Sequence, residues 1–331
     1  MKRDFVVGLG VLLMLGACQQ APKGYVLEGT VTSTTDGMVY LKRVEDKTFS
    51  IKDSAQVVNG KFRMEGQLTS AEAYGLTTSP TDNSPLLFFL ENGNVKVTLD
   101  ETKKQLDVEG SASDAFFRQV QSYTKQEGFQ IDTLVAHHPD SPVVAYLLMK
   151  SYSWSFDNAG LKSLRDLMTP ALSQSFYVEQ LNDLIRRKEQ VEVGQVAPEI
   201  SLPDPEGNMV SLSSLRGQYV LLDFWASWCP DCRREIPEVV RAYQQLKDKN
   251  FTIYSVSLDR ARDPWVKAIE QYGLDWTHVS ELKYWQSEVV ERYAIRWIPA
   301  YFLLDPEGRI LIVSLDSEGL VKGLQSVFGA Y

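Results

Sequence analysis

The chain has 331 residues, 44% of them apolar and 23% charged, with a net charge of −9 and only three cysteines. At roughly 150 residues per domain it holds about two globular units, and its average composition excludes collagenous, coiled-coil and disordered classes. The acidic balance offers no basic stripe for a phosphate backbone, which argues against nucleic-acid partners; three cysteines are too few for a disulfide-built scaffold or a four-cysteine zinc site.

Lys2 and Arg3 precede an apolar run from Phe5 to Leu15, interrupted by Gly8 and Gly10. About eleven residues are too few to span a bilayer of roughly 30 Å as a helix, so residues 1–17 read as a signal peptide. Leu15-Gly16-Ala17-Cys18 resembles the bacterial lipobox, in which cleavage precedes a cysteine that is then acylated. That resemblance implies membrane attachment through lipid on Cys18. Gln19 rather than Asp follows it, with no acidic run, which by Gram-negative sorting rules implies the outer membrane and a periplasmic orientation. An ordinary signal peptide with an incidental cysteine is the alternative.

From Tyr25 to Gly110 short runs mix apolar and polar residues in near alternation: 25–31, 38–41, 61–64, 86–90, 95–99 and 106–108. Asp36-Gly37, Asn59-Gly60 and Asn92-Gly93 punctuate them, and such pairs favour turns because a positive φ is cheap there. The pattern predicts a small antiparallel β-sandwich over residues 18–115, with the lipid-attached linker at its start. It contains no His and no catalytic acid pair, and reads as a docking or packing module. Residues 116–191 have helical texture, with apolar residues at Phe116-Phe117, Val120, Leu147-Leu148, Leu181 and Leu184-Ile185. His137-His138-Pro139 reads as a helix cap at the surface rather than a metal site, because adjacent helical side chains diverge.

Residues 192–331 carry the chemistry. A buried-looking strand, Tyr219 to Ala226, leads directly into Trp228-Cys229-Pro230-Asp231-Cys232 and a helix running to about Leu246. Two cysteines three apart on a helix's first turn can form a disulfide. The first sits where unpaired N–H groups and the helix dipole stabilise a thiolate. A zinc site would need two further Cys or His ligands, and only His278 lies in this part of the chain. An inert structural disulfide is a second alternative. Of the seven tryptophans, Trp225 reads as core, Trp265, Trp276 and Trp285 as packing, and Trp228 and Trp297 as the walls of a groove.

Asp223 to Cys232, Pro237 and Ile298-Pro299 together resemble the thioredoxin fold, and Glu235-Ile236-Pro237 with the extra segment 259–281 is similar to its TlpA/ResA-like branch within the alkyl hydroperoxide reductase/thiol-specific antioxidant superfamily. The first half resembles an uncharacterised β-domain found before such domains in bacterial lipoproteins. The resemblance implies an α/β fold with a central mixed sheet flanked by helices. It implies Cys229 as the exposed attacking thiolate, Cys232 as the resolving thiol, and Asp223 as a buried acid exchanging a proton with Cys232. Glu235 matches a helix acid used near the site, with a solvated helix residue as the alternative. Pro299 matches the cis-proline facing the dithiol. Client polypeptide would pair with the backbone of Ile298 beside Trp228 and Pro230.

The implied activity is thiol–disulfide exchange, most readily as a reductant of periplasmic protein disulfides, apocytochrome c cysteines among them. Asp231 inside the dithiol loop disfavours a neighbouring thiolate and so opposes a strongly oxidising couple, with Arg233 and Arg234 partly offsetting it. No nucleotide or flavin motif is present, so the redox-active disulfide Cys229–Cys232 is the only cofactor-like group expected, and electrons come from an upstream protein dithiol. Two alternatives stand beside this reading. Peroxidase or antioxidant chemistry is one, although peroxiredoxins place a Pro and a Thr shortly before their reactive cysteine, whereas Cys229 follows Trp225-Ala226-Ser227-Trp228. The other is a partner-binding lipoprotein whose dithiol is secondary.

Overall fold

The computed structural model describes residues 24–45 and 47–330, so Cys18 and the signal segment lie outside the described residues. Eight strands form the first part: β1 Tyr25–Val31, β2 Gly37–Val44, β3 Phe49–Val57, β4 Lys61–Gly66, β5 Glu72–Thr77, β6 Leu86–Leu90, β7 Gly93–Asp100 and β8 Gln105–Glu109. They make two four-stranded sheets, ordered β4-β1-β7-β8 and β3-β2-β5-β6. The inward residues of both sheets, such as Leu27 and Val97 on one and Leu41 and Leu76 on the other, share a single core. That makes the expected sandwich. Its pairs are antiparallel except β1 with β7, which run parallel.

Two strands were hidden in the sequence. Every residue of β5 is buried, so it shows no alternation: Tyr74 and Leu76 face the sandwich core, while Ala73 faces the helices on the other side. Strand β3 has the opposite character. Only Val57 of its nine residues is buried, since it lies at a sheet edge and needs few apolar side chains.

The helical part comprises α1 Ala112–Tyr123, α2 Ile131–His137, α3 Pro142–Leu147, α4 Asn158–Leu167 and α5 Phe176–Glu189. Helix α1 starts directly after Ser111, which caps it, its hydroxyl accepting from the Asp114 amide at 3.0 Å. Buried Asp114 in turn accepts from the Phe89 amide of β6 at 3.0 Å, joining sandwich to helices. Phe89 completes the join: its ring lies 5.0 Å from Phe117 of α1 and 5.4 Å from Tyr146 of α3. Beyond α3 the chain continues through a π-turn, Leu148–Tyr152, and a 3-10 turn, Ser153–Ser155.

The last part opens with the hairpin β9 Ser201–Pro203 and β10 Met209–Ser211. It then alternates β11 Tyr219–Trp225, α6 Pro230–Leu246, β12 Phe251–Ser257, α7 Arg262–Tyr272 and β13 Thr277–Ser280, followed by α8 Glu288–Arg292, β14 Ala300–Leu304, β15 Ile310–Ser314 and α9 Ser317–Phe328. The sheet order is β13-β12-β11-β14-β15, parallel from β11 to β13 and antiparallel through β14 and β15. One apolar cluster covers each face of this sheet. It is the thioredoxin arrangement, with β11 central and buried on both sides, which is why its sequence reads as a continuous apolar run. Among the described residues no helix is long and apolar enough to cross a membrane.

Phe89 is fully buried between the two layers. Phe89→Ala is expected to lower the free energy of unfolding by about 3–5 kcal/mol, as for other buried aromatics. Ile51→Ala, on the exposed edge strand, should change it by less than about 0.5 kcal/mol. Denaturant midpoints of the two variants check this.

Candidate active site

Strand β11 ends at Trp225, and the next three residues carry the chain to Cys229, which is the N-cap of α6. Its Sγ accepts the amide N–H of Cys232 at 3.1 Å, the position from which unpaired helix N–H groups favour an anion. Pro230 occupies the first turn of the helix, where a missing N–H costs nothing. Cys229 and Cys232 are joined by a disulfide with a Cα–Cα distance of 5.3 Å. The loop before them is pinned. Buried Asp259 accepts from the Ser227 amide at 3.0 Å and from its hydroxyl at 2.5 Å, and the Trp228 indole donates to the Leu258 carbonyl at 3.2 Å.

The Ile298–Pro299 peptide bond is cis, and the Ile298 carbonyl oxygen lies 3.6 Å from Cys229 Sγ. Cys229 differs from the sequence expectation of exposure: it is only 3% exposed. As a disulfide its sulfur is turned inward to Cys232 and against the Ile298 backbone, and the exposed surface belongs to Trp228 and Trp297, at 38% and 37%. Trp228 packs on Tyr284 at 5.0 Å, and Arg260 covers the Tyr284 ring at 4.0 Å.

Asp223 lies on β11, directly opposite Tyr301 of β14 in the strand register. Burial pushes its carboxyl up to about 7, against the pull of a hydrogen bond from Ser255 and with a further push from the Glu235 charge. A cavity of about 10 Å³ adjoins Asp223, Cys232, Trp276 and Tyr301, the size of one water molecule. Trp276 Nε1 donates to Ser255 Oγ at 2.9 Å, and Ser255 Oγ donates its only proton to Asp223 Oδ2 at 2.8 Å.

Glu235 is half-buried on α6. Burial raises its carboxyl, opposed by the Ser317 amide at the start of α9 and the Tyr301 hydroxyl, which donates to Oε2 at 3.4 Å. The two acids thus share Tyr301 as a wall. Ser255, Trp276, Tyr301 and Asp259 were not singled out from the sequence as site residues; they sit in strands or at their ends, where polar residues within an apolar run are the one available signal. His278 stacks on Trp276 at 5.6 Å and, by burial, is pushed down to about 3 and is neutral. No group of three or more His, Cys, Asp or Glu poised for a metal occurs among the described residues.

A family model described as AhpC/TSA matches residues 193–313, and a second, a domain of unknown function named DUF4369, matches residues 25–117. The thiol–disulfide oxidoreductase ResA of Bacillus subtilis is 29% identical over 40% of this chain and 72% of its own length. ResA of Geobacillus kaustophilus is 31% identical over 42% of this chain and 80% of its own length. The chain belongs to the AhpC/TSA family, among its ResA-like thiol–disulfide oxidoreductases. A solved thioredoxin domain of a thiol–disulfide oxidoreductase from Bacteroides vulgatus is 41% identical, covering 41% of this chain and 97% of that one at a TM-score of 0.39. This oxidoreductase has its Cys-X-X-Cys pair at Cys229 and Cys232, within the AhpC/TSA match, and the DUF4369 match falls on the β-sandwich in front.

The Asp223 carboxyl fixes a pH dependence of stability. The native group holds its proton up to about pH 7, whereas in the unfolded chain it releases it near 4. Between those values the native state binds more protons, so this group's contribution falls as pH rises. In the disulfide form, Asp223→Asn is expected to gain up to about 4 kcal/mol relative to the parent between pH 4 and pH 8. Ser255→Ala should move Asp223 higher still, because it removes the bond that favours the carboxylate. Denaturation across pH checks both; parallel curves for parent and Asp223→Asn would contradict the buried-acid assignment.

Proposed function

We propose that the protein is a lipid-anchored, periplasm-facing reductant of protein disulfides. The observation that carries the reading is the position of Cys229, capping α6 and set against the Ile298 carbonyl at 3.6 Å. In the reduced enzyme the Cys229 thiolate attacks one sulfur of a client disulfide. A mixed disulfide forms, and the other client sulfur leaves as a thiolate and takes up a proton. Asp223 then accepts the Cys232 proton, and the Cys232 thiolate attacks Cys229. The second client sulfur leaves, and the Cys229–Cys232 disulfide remains. Two electrons have passed to the client, and a partner protein's dithiol restores them.

Two features support the direction, and a third the anchoring. Two acids lie by the dithiol: Asp231 in the loop, paired to Arg234 at 2.8 Å, and Asp223, which shares a small cavity with Cys232. They oppose thiolate formation, and a reduced form that is not specially stabilised makes a couple that gives up electrons readily. Oxidised proteins are abundant in the periplasm. The anchor rests on Leu15-Gly16-Ala17-Cys18, and several acyl chains at about 0.8 kcal/mol per buried methylene hold firmly.

Cys232→Ser tests the exchange step. Without the resolving thiol, Cys229 should retain clients as mixed disulfides that separate on non-reducing gels and disappear with Cys229→Ser. If no Cys229-dependent adduct forms with oxidised envelope proteins, protein disulfides are not the substrate.

A further inference from the structure

The one tryptophan outside residues 192–331 is Trp154, in the 3-10 turn after α3. Its ring stacks on Trp297 at 4.9 Å and 25°, and its indole N–H is held by the Ser151 carbonyl at 2.9 Å. Trp297 immediately precedes Ile298-Pro299, so the helical part of the chain reaches the reaction centre through this contact. The turn is firmly seated. Lys188 donates to the Phe156 carbonyl at 2.7 Å, the Ser153 hydroxyl to the Met149 carbonyl at 2.7 Å, and Arg296 to that same carbonyl at 3.3 Å.

Between this turn and β14–β15 runs a groove of about 690 Å³, within the range of built ligand sites. Of the twelve large apolar residues exposed among those described, four line it: Val193, Trp297, Val313 and Leu315. Such a concentration of exposed apolar surface marks a place of binding. The charged residues on its walls are Asp157, Lys188, Glu192 and Arg296, two of each sign. They set up no net field for an ionic ligand, so apolar side chains decide what enters. Trp297 and Ala300, on either side of Ile298-Pro299, both line it, and the Ile298 carbonyl lies 3.6 Å from Cys229 Sγ, so the groove borders the segment that faces the dithiol. Its far wall is the end of β15, the edge strand of the sheet, which suits an occupant in extended conformation.

We propose that this groove seats an extended, apolar segment of the client polypeptide flanking its disulfide cysteine, and that Trp154 makes the helical region a part of the client-binding surface. The inference rests on the client docking at Ile298. It assigns selectivity among clients to residues outside the thioredoxin fold.

The test uses the full chain and three disulfides: a peptide disulfide with Leu and Phe flanking the cysteine, its counterpart with Gly and Ser, and hydroxyethyl disulfide. Trp154→Ala should raise KM for the apolar peptide about tenfold, the scale of one lost aromatic contact, with kcat unchanged. The Gly/Ser peptide and hydroxyethyl disulfide should react as with the parent. Val313→Ser, on the opposite wall and independent of the turn, should act in the same direction, and Trp154→Phe should recover most of the loss. An unchanged KM for the apolar peptide in both variants overturns the groove assignment, as does an equal slowing of all three disulfides. A parent enzyme that reduces hydroxyethyl disulfide but discriminates neither peptide from the other would instead overturn the docking at Ile298 itself.

Discussion

The turn from β11 into α6 is the constraint on which the rest of the site depends. A central strand buried on both faces cannot shift along its axis, so its end is a fixed point. Cys229 stands a few residues beyond it as the helix N-cap, accepting the Cys232 amide. The same rigidity places Asp223 behind the dithiol and Ser227 within reach of Asp259. The thiol chemistry, the buried acid and the pinned aromatic loop are consequences of one strand-to-helix junction.

Behind the dithiol the polar groups form a hydrogen-bonded chain. The Trp276 indole can only donate, so Ser255 accepts from it, and the Ser255 hydroxyl is then free to donate to the Asp223 carboxylate. The Asp223 carboxyl at its end carries the exchangeable proton. Burial keeps that proton bound up to about pH 7, close to where a proton carrier is most effective. Tyr301 separates this acid from Glu235 while bonding the latter, which keeps the two carboxyls apart without isolating their charges from each other.

The redox pair, the helix after it and the central strand were legible because the chemistry required unusual local sequence: two cysteines three apart, a helix start after an apolar run, and Ile298-Pro299 within the matching family pattern. The sandwich was legible from turn pairs and alternation, except at β5 and β3. Burial on both faces removes alternation from one, and edge exposure removes apolar residues from the other. The acid network was less visible. Ser255 and Trp276 lie 32 and 53 positions from Asp223, so that nothing in local sequence links them, and only the strand register brings them together. The burial of Cys229 was also hidden, because it depends on the Ile298 carbonyl, 69 residues away. Nothing in the sequence around Trp154 marks it, because its stacking partner Trp297 lies in another part of the fold.

The reduction potential of the Cys229–Cys232 couple tests the central claim most directly. Equilibration of the full chain against defined glutathione or thioredoxin couples, with the thiols counted by alkylation, gives it. An acid-lined dithiol that serves as a reductant should lie near thioredoxin, at about −270 mV, and in any case below about −200 mV. A potential near about −120 mV, where the reduced form is strongly stabilised, would contradict it and make the protein an oxidant.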